Sequence, residues 1–363
     1  YDAPGLPISW NKNQYQEGKN EYVVVRPELK KQIEELYRRN PEEARDSFGE
    51  DPFEVKNILK YWVFSEKPEF HVIPTDTINI HIDKDALLRS GIMLPKTIRH
   101  LKGEDLKDAI PDKLYIPLTD IRMLTKVDLL MLEMLANCNW ERPLYLAISV
   151  GSVSKLKFDN YFVQEGLAFR FTPFDYKKWG DADENRPYAV DVERLYDNVM
   201  NRYKYGGLNT PGLYLDETTL RTCWYHRRLF AQLAKELIAQ GDNERAKKVL
   251  AYAEQVIPGY NVPETHESGS YDIATAYAAL GEKTKAVTLA VHLIAEAEDY
   301  INWAFSLKGN RIEMVRNDCI YKFWQWNQYN ELLKKIDGEK YKESNRQFEE
   351  KYALFAPTMN YKN

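Results

Sequence analysis

Hydrophobic positions are densest in residues 122–173, where the pattern predicts an apolar helix followed by two strands. Thr125 and Asp128 have the spacing of a capping box, so we expect the helix to begin there. The helix carries almost no polar residues, which predicts cover on more than one side. Residues 144–150 lack polar alternation and predict an interior strand buried on both faces, with residues 162–171 as its partner. A helix that leads into such a strand is typical of an α/β or α+β domain.

The rest of the first half alternates between helical and strand-like periods. Isoleucine occupies every second position in residues 77–83, which predicts a strand with one solvent-exposed face. The other elements predicted in this half are strands at 23–25 and 114–118 and helices at 28–39, 52–64, 84–89 and 191–205. Two glycine-containing pairs within residues 206–212 then interrupt the chain. We therefore predict an α/β domain with a mixed sheet over residues 1–210 and a second domain over residues 211–363.

The second half is helical and internally repetitive. Ala246 and Ala286 align two helix pairs at a period of 40 residues. Each pair has a glycine-acid turn, which is Gly241-Asp242 in the first pair and Gly281-Glu282 in the second. The first pair resembles the tetratricopeptide repeat in its small residues and in Pro258, and the second matches less well. Because stacked helix pairs bury a continuous core, we predict an all-α tetratricopeptide-like domain, with residues 303–333 as a third pair or cap.

The overall composition is that of an ordinary globular protein, with 44% hydrophobic and 29% charged residues. The net charge of −5 comes without a long run of either sign, so no nucleic-acid-binding surface is expected. The three cysteines, Cys138, Cys223 and Cys319, exclude a disulfide framework and a Cys-x-x-Cys metal site. No membrane span or signal peptide is visible, and the start at Tyr1 leads us to expect a piece of a longer protein.

Aromatic residues are unusually frequent, with 25 Tyr, 14 Phe and 8 Trp among 363 residues. Such side chains can stack on sugars or peptides, but most large aromatic side chains fill cores and helix interfaces. Composition alone therefore favours packing over binding.

Signals of catalysis are weak, and we predict no catalytic residue, metal site or cofactor. The six histidines show no metal-binding spacing. Residues 181–185 begin like a calcium loop but lack its central glycine and its final glutamate. Gly151, Ser152 and Lys155 follow the predicted buried strand, at the end where open α/β sheets place ligands. Their amides, hydroxyls and amine could hold an anion, and a plain turn is the competing interpretation.

A second candidate set is basic. His226 and Arg227 are expected where the first helix of the repeat begins, and they are candidates to line its concave face. A solvated basic turn is the competing interpretation.

Five stretches distributed along the chain carry a family resemblance: residues 6–10, 13–15, 139–145, 164–170 and 214–218. They resemble the bacterial domain of unknown function 2723 family, multi-pass membrane proteins related to protein O-mannosyltransferases. The resemblance implies a membrane half upstream that carries transferase chemistry with a polyprenyl-phosphate sugar donor. This chain would be the soluble carboxyl-terminal part on the periplasmic face of the membrane. No catalytic residue of the family has a counterpart here. The resembling stretches contain Trp140, a candidate stacking platform, and Glu165, a candidate ligand-binding carboxylate.

These observations predict a non-catalytic accessory region of a membrane glycosyltransferase-like protein, which binds an acceptor protein or glycan or braces the membrane half. Its expected partners are the membrane half of its own polypeptide and an acceptor protein or glycan. Two other functions stay open. The α/β domain could be a hydrolase or transferase acting near Gly151, and the chain could be a stand-alone repeat scaffold for protein–protein interaction.

Overall fold

The computed structural model describes residues 21–65, 67, 70–150, 156–307 and 311–359. The chain forms two compact units that divide between Asp191 and Val192. The first unit contains short helices and small sheets, and the second is helical throughout its regular elements. The predicted order, an α/β region followed by an all-α region, is confirmed.

The α/β unit is built from short elements. Its strands are β1 Tyr22–Val25, β2 Val72–Ile73, β3 Thr77–His81, β4 Lys113–Pro117, β5 Met123–Thr125, β6 Tyr145–Ala147, β7 Phe162–Gln164, β8 Ala168–Phe171 and β9 Ala189–Val190. Its helices are α1 Leu29–Arg39, α2 Pro41–Phe48, α3 Val55–Ile58, α4 Lys84–Arg89, α5 Gly103–Ala109 and α6 Lys126–Asn137. A π-helical turn at Leu59–Val63 continues α3, and a 3₁₀ turn at Asp159–Tyr161 precedes β7.

The strands pair into three small sheets with the orders β2-β1-β5, β3-β4 and β6-β8-β7-β9. The first and third sheets are mixed, because β1 and β2 are parallel, as are β7 and β9, while the other pairs are antiparallel. A common hydrophobic core includes Ile78, Leu129 and Phe174.

The helix α6 confirms the prediction made from its cap. The Thr125 amide donates to Asp128 Oδ2 over 2.8 Å, and in return the Asp128 amide donates to the Thr125 side chain, which completes the capping box. Leu129 and Leu132 are buried, and the helix packs against α3, β3 and β5. Tertiary cover on several sides is what its apolar sequence required.

Residues 144–150 do not form the long interior strand that the sequence predicts. It contains only the three residues of β6, which lies at the edge of its sheet and pairs with β8 alone. Tyr145 is 49% exposed and Val150 38% exposed, so the segment is not buried on both faces. An apolar run is common to edge and interior strands, and only the pairing distinguishes them. The predicted central position, on which a ligand site near Gly151 depended, was wrong.

Two helices of the α/β unit, α2 and α5, were not predicted. The first begins at Pro41, two residues after the end of α1, because proline is well tolerated in the first turn of a new helix. The predicted helix over residues 52–64 begins later, at Val55, and its second half is π-helical.

The helical unit contains α7 Val192–Asp197, α8 Glu217–Ala239, α9 Asn243–Val256, α10 Ser270–Ala279, α11 Lys283–Ser306, α12 Arg311–Met314, α13 Arg316–Ile336 and α14 Gly338–Met359. A π-helical turn at Asn198–Arg202 continues α7. Consecutive long helices pack in pairs, α8 with α9, α10 with α11 and α13 with α14. The pairs are joined by contacts of α8 with α10 and of α11 with α13. The predicted boundary at residue 210 lies farther along the chain than the division of the units, since α7 packs against α8.

The 40-residue period is visible in the backbone. Gly241 and Gly281 have φ values of 80° and 78°, and α9 and α11 begin two residues after them. The aligned Ala246 and Ala286 are both fully buried. The two turns therefore have the same geometry, and the small residues lie where the helices approach. The specific likeness to tetratricopeptide repeats stays a prediction.

Candidate functional site

A groove of about 350 Å³ lies among α8, α9, α10 and α11. Its floor is aliphatic and consists of Leu250, Ala253, Ile257, Ile273 and Leu289. Its polar lining consists of Arg227, Glu254, Glu264, Tyr277, Thr284, Lys285, Thr288 and His292. We call this cavity the inner groove. An apolar floor with a few convergent polar groups is the usual composition of a binding site.

One wall of the inner groove is a hydrogen-bonded trio. The Tyr277 hydroxyl donates to the Glu254 carboxylate. Lys285 Nζ lies 3.0 and 2.9 Å from the two oxygens of the same carboxylate and 5.0 Å from the centroid of the Tyr277 ring. Burial raises the pKa of Tyr277 above its ordinary value, and the carboxylate adds to the rise. The trio holds Glu254 and Lys285 in fixed positions at the edge of the groove.

Arg227, which also lines the inner groove, is 3% exposed. Its guanidinium donates to the carbonyls of Ile257, Val262 and Pro263 at 3.0, 2.5 and 2.7 Å and to Ser268 Oγ at 3.0 Å. Burial lowers the pKa of Arg227 to about 10, which still leaves it charged at neutral pH. This side chain ties α8 to the connection between α9 and α10.

The charges that line the inner groove are balanced. Arg227 and Lys285 are positive, and Glu254 and Glu264 are negative. A strongly charged ligand such as a nucleotide would be attracted by the two cations and repelled by the two carboxylates. The lining therefore suits a ligand that is neutral overall.

Beyond the groove, aromatic side chains surround His266, and we call His266, Tyr271, Tyr321, Trp324 and Tyr329 the His266 cluster. The His266 ring stacks on Tyr271 with a centroid distance of 5.7 Å and meets Trp324 edge-on at 5.6 Å. Its Nδ1 lies 2.9 Å from the Tyr329 hydroxyl. Burial lowers the pKa of His266, so the neutral ring is favoured. The rings of Tyr321 and Trp324 lie nearly parallel, at 13°, and are 45% and 49% exposed.

A half-buried carboxyl, Glu296, adjoins this cluster. Burial raises its pKa above the ordinary value, Glu267 contributes to the rise, and Lys322 opposes it. Among the described residues the Glu296 carboxyl makes no hydrogen bond or ion pair. Glu267, by contrast, accepts from Gln325 Nε2 at 3.0 Å and lies 3.9 Å from Lys322 Nζ. Glu296 therefore retains its full hydrogen-bonding capacity.

One face of α11 connects the two regions. Lys285 and His292 line the inner groove, and Glu296 follows one turn later. Residues spaced by seven and four positions lie on the same face of a helix. The groove and the surroundings of the His266 cluster are therefore neighbours along a single helix face.

The predicted stacking platform, Trp140, lies in the core of the α/β unit and is 6% exposed. Its indole donates from Nε1 to the His81 carbonyl at 2.8 Å and stacks on Phe171 with a centroid distance of 6.2 Å. Trp140 has a φ of 60°, a region that non-glycine residues seldom adopt. Its ring packs in the core and presents no open face to a ligand.

The predicted carboxylate, Glu165, is also buried and is paired. It accepts from the Tyr145 hydroxyl at 2.8 Å and lies 3.7 Å from Arg170, which donates to the Ser90 carbonyl at 2.9 Å. This network joins β6 and β8 to the end of α4. The partners of the Glu165 carboxylate are sufficient to explain why this charged group is buried.

Gly151, Ser152 and Lys155 lie outside the described residues. His226 and Arg227 lie in the middle of α8, since this helix begins at Glu217 and not near His226. The solvated basic turn is therefore excluded for Arg227. The neighbouring His226 ring meets Tyr203 and Tyr205 edge-on, and burial lowers its pKa. Of the sequence candidates, the structure brings Arg227 to the inner groove.

Sequence reasoning missed Lys285, Glu296, Tyr321 and Trp324. The spacing of Lys285, His292 and Glu296 gives a signal, because it marks one helix face. The run Tyr321-Lys322-Phe323-Trp324-Gln325-Trp326 is conspicuous as well. Its pattern could not show which rings are exposed, and Trp326 is fully buried only two residues after Trp324.

In the part of the chain that the structure describes, no helix has the length and apolarity required to cross a membrane. The same residues contain no group of three or more His, Cys, Asp or Glu side chains placed to hold a metal ion.

The fold consists of an α/β unit followed by an all-helical unit that contains the inner groove. A family model described as TMEM260-associated domain 2 matches residues 1–192, more than half of the 363-residue chain. The chain therefore belongs to the TMEM260-associated domain 2 family. No curated protein and no solved structure matches the chain. The family match ends where the units divide, so the inner groove and the His266 cluster lie outside it.

Proposed function

We propose that this chain is a non-catalytic recognition region of a larger membrane glycosyltransferase-like protein, and that its inner groove binds a segment of an acceptor protein. The observation that carries this proposal is the groove itself, with its aliphatic floor and charge-balanced polar lining. Helical arrays commonly bind peptides on such concave faces.

The groove suits a short polypeptide segment. Its volume of about 350 Å³ lies near the lower end of the range for ligand sites, and its aliphatic floor would bury an apolar side chain. The fixed carboxylate of Glu254 and the Thr284 and Thr288 hydroxyls would meet the peptide backbone, which offers both donors and acceptors. The two cations and two carboxylates of the lining balance, so selection would rest on shape and apolar contact.

Recognition without catalysis is the simplest role for these side chains. The two cations of the groove are engaged, Arg227 by four acceptors and Lys285 by Glu254. A general acid or base must be free to exchange a proton with its substrate. These groups instead support the groove.

The wider setting is proposed from the resemblance to the domain of unknown function 2723 family. The partner in that setting is a membrane half of the same polypeptide, located upstream, and the chain lies on the periplasmic face of the membrane. The α/β unit, which carries the family match, would brace that half. The tetratricopeptide-like character of the helical unit belongs to the same proposal.

A groove-filling substitution tests the proposal. Unmodified peptides would be selected on the purified protein by phage display, and their Kd values measured by fluorescence polarisation. Thr288→Trp places an indole in the groove and should weaken the selected peptides by about tenfold or more. Val291→Trp is the matched control, because Val291 is 38% exposed on the same helix and does not line the groove.

Equal binding by both variants would show that the peptides bind elsewhere and would reject the groove. The purified chain would also be incubated with a polyprenyl-phosphate-linked sugar and a selected peptide. Glycosylation of the peptide under these conditions would refute the non-catalytic role.

A further inference from the structure

Two solvent-facing rings and a set of hydrogen-bonding side chains converge at the His266 cluster. Trp324 and Tyr321 expose nearly half of their surfaces on one face of α13. Large exposed aromatic side chains that lie together are uncommon outside binding surfaces. From the contacts of both rings with His266, which adjoins the partly exposed Glu267 in the chain, we propose that the His266 cluster binds a neutral carbohydrate, with a sugar ring stacked on Trp324.

The His266 ring contacts both Tyr321 and Trp324 and supports them. The His266 ring meets Trp324 at 5.6 Å and Tyr321 at 6.2 Å, and it is itself fixed by its contact with the buried Tyr329 hydroxyl. A supported ring loses little conformational entropy when a ligand stacks on it. The flat C–H face of a pyranose covers such a ring and leaves the sugar hydroxyls at its edges.

The polar neighbours require a ligand that donates hydrogen bonds. Glu267 and Glu296 are carboxyl groups, and when ionised they only accept. A proline-rich peptide offers carbonyl oxygens and few donors, so it would place acceptor against acceptor. Sugar hydroxyls both donate and accept, so they can satisfy carboxylate acceptors such as Glu267, whose position is fixed by the buried Gln325 amide at 3.0 Å.

Charged ligands fit this surface less well. The Lys322 ammonium lies 3.9 Å from Glu267 and 5.9 Å from the centroid of the Tyr300 ring. A cationic ligand would compete with this ammonium for the Glu267 carboxylate, so its charge would gain less than beside an unpaired carboxylate. An anionic ligand would meet Glu267 and Glu296. A neutral ligand with several hydroxyl groups avoids both of these unfavourable charge interactions.

This inference rests on the proposed function and deepens it, because it places a glycan beside the polypeptide segment held in the inner groove. The two sites share the face of α11 but use different side chains. A glycosylated segment could therefore contact both.

Binding would be measured on the full chain with four probes: methyl glucoside, methyl galactoside, methyl mannoside and N-acetylglucosamine. Saturation-transfer NMR and tryptophan fluorescence would give the affinities. At least one probe should bind, and Trp324→Ala should weaken it by about tenfold or more. Trp324→Phe keeps a smaller ring and should show an intermediate loss. Trp303→Ala is the matched control, because Trp303 is also 49% exposed and has its ring contact with Tyr300.

Absence of saturation transfer from all four probes would overturn the inference, as would equal losses in Trp324→Ala and Trp303→Ala. Tight binding of tetramethylammonium or of a proline-rich decamer that depends on Trp324 would replace it with a cation or peptide site. Thr288→Trp should weaken peptide binding and leave sugar binding unchanged. Loss of peptide binding and loss of sugar binding are measured separately, so either proposal can be rejected without the other.

Discussion

At the scale of single residues, Arg227 shows how a charged side chain can belong to the interior. Its four acceptors are three carbonyls and a hydroxyl in the connection that follows α9, and this segment has no regular secondary structure to satisfy them. Buried carbonyls without donors are costly. Arg227 therefore acts as a substitute for backbone hydrogen bonding in that connection.

Replacing this side chain tests that role. Arg227→Met should lower the free energy of unfolding by about 3 kcal/mol, because several buried acceptors lose a charged donor. The adjacent Arg228→Met is the control, since Arg228 is exposed and donates to the Glu267 carbonyl at 2.7 Å. Arg228→Met should lower the free energy of unfolding by less than about 1 kcal/mol. Chemical denaturation would measure both, and similar costs would contradict the structural role of Arg227.

Glu296 predicts a specific pH dependence. Burial raises its pKa in the folded state, so at pH values between the unfolded and the folded pKa the folded state retains a proton that the unfolded state has released. Its contribution to stability is therefore lost as the pH rises from the unfolded pKa through the folded one. Glu296→Gln cannot ionise, and its stability relative to the wild type should increase between about pH 4 and neutral pH.

Denaturation curves across this pH range would measure the difference. Glu298→Gln on the same helix is the comparison, because Glu298 pairs with Lys351 at 3.3 Å. Its substitution should not stabilise the protein at neutral pH. A Glu296→Gln difference that is constant with pH would contradict the assignment.

At the scale of elements, the two glycine turns of the helical unit are equivalent. Gly241 and Gly281 both have left-handed backbone angles, and a Cβ added at either would meet no atom within 4 Å. Substitution there is therefore limited by backbone strain and not by packing. Gly338, which begins α14, also has open space around it and has no positive φ.

These turns give a matched set of substitutions. Gly241→Ala and Gly281→Ala should each lower the free energy of unfolding by about 1 to 2 kcal/mol. Gly338→Ala should be neutral or slightly stabilising, since alanine favours helices. Thermal or urea denaturation would measure the three variants. Unequal costs at the two turns would argue against a 40-residue structural repeat.

At the scale of the whole molecule, each unit has a buried core of its own. In the helical unit it includes Phe230, Leu293 and Trp326, which are at most 1% exposed. A region with its own core is expected to fold alone. The family match to residues 1–192 follows the same division.

A fragment of residues 192–363 should therefore be helical and unfold cooperatively. Circular dichroism would follow its thermal unfolding, and fluorescence polarisation would measure its affinity for peptides selected on the full chain. We expect that affinity to remain within about threefold of the full-length value. A fragment with helical dichroism but no cooperative transition would contradict independent folding.

The sequence alone determined features that depend on local order. The capping box at Thr125 specified the start of α6, and the glycine-acid turns specified the 40-residue period, because both are written within a few consecutive residues. The order of an α/β region before an all-helical one also follows from local periodicity. Tertiary structure decided the rest. The apolar run of residues 144–150 lies at a sheet edge, Trp140 is buried, and Trp324 is exposed two residues before the buried Trp326. Exposure depends on which distant segments pack nearby, so the inner groove and the His266 cluster exist only once the helices are assembled.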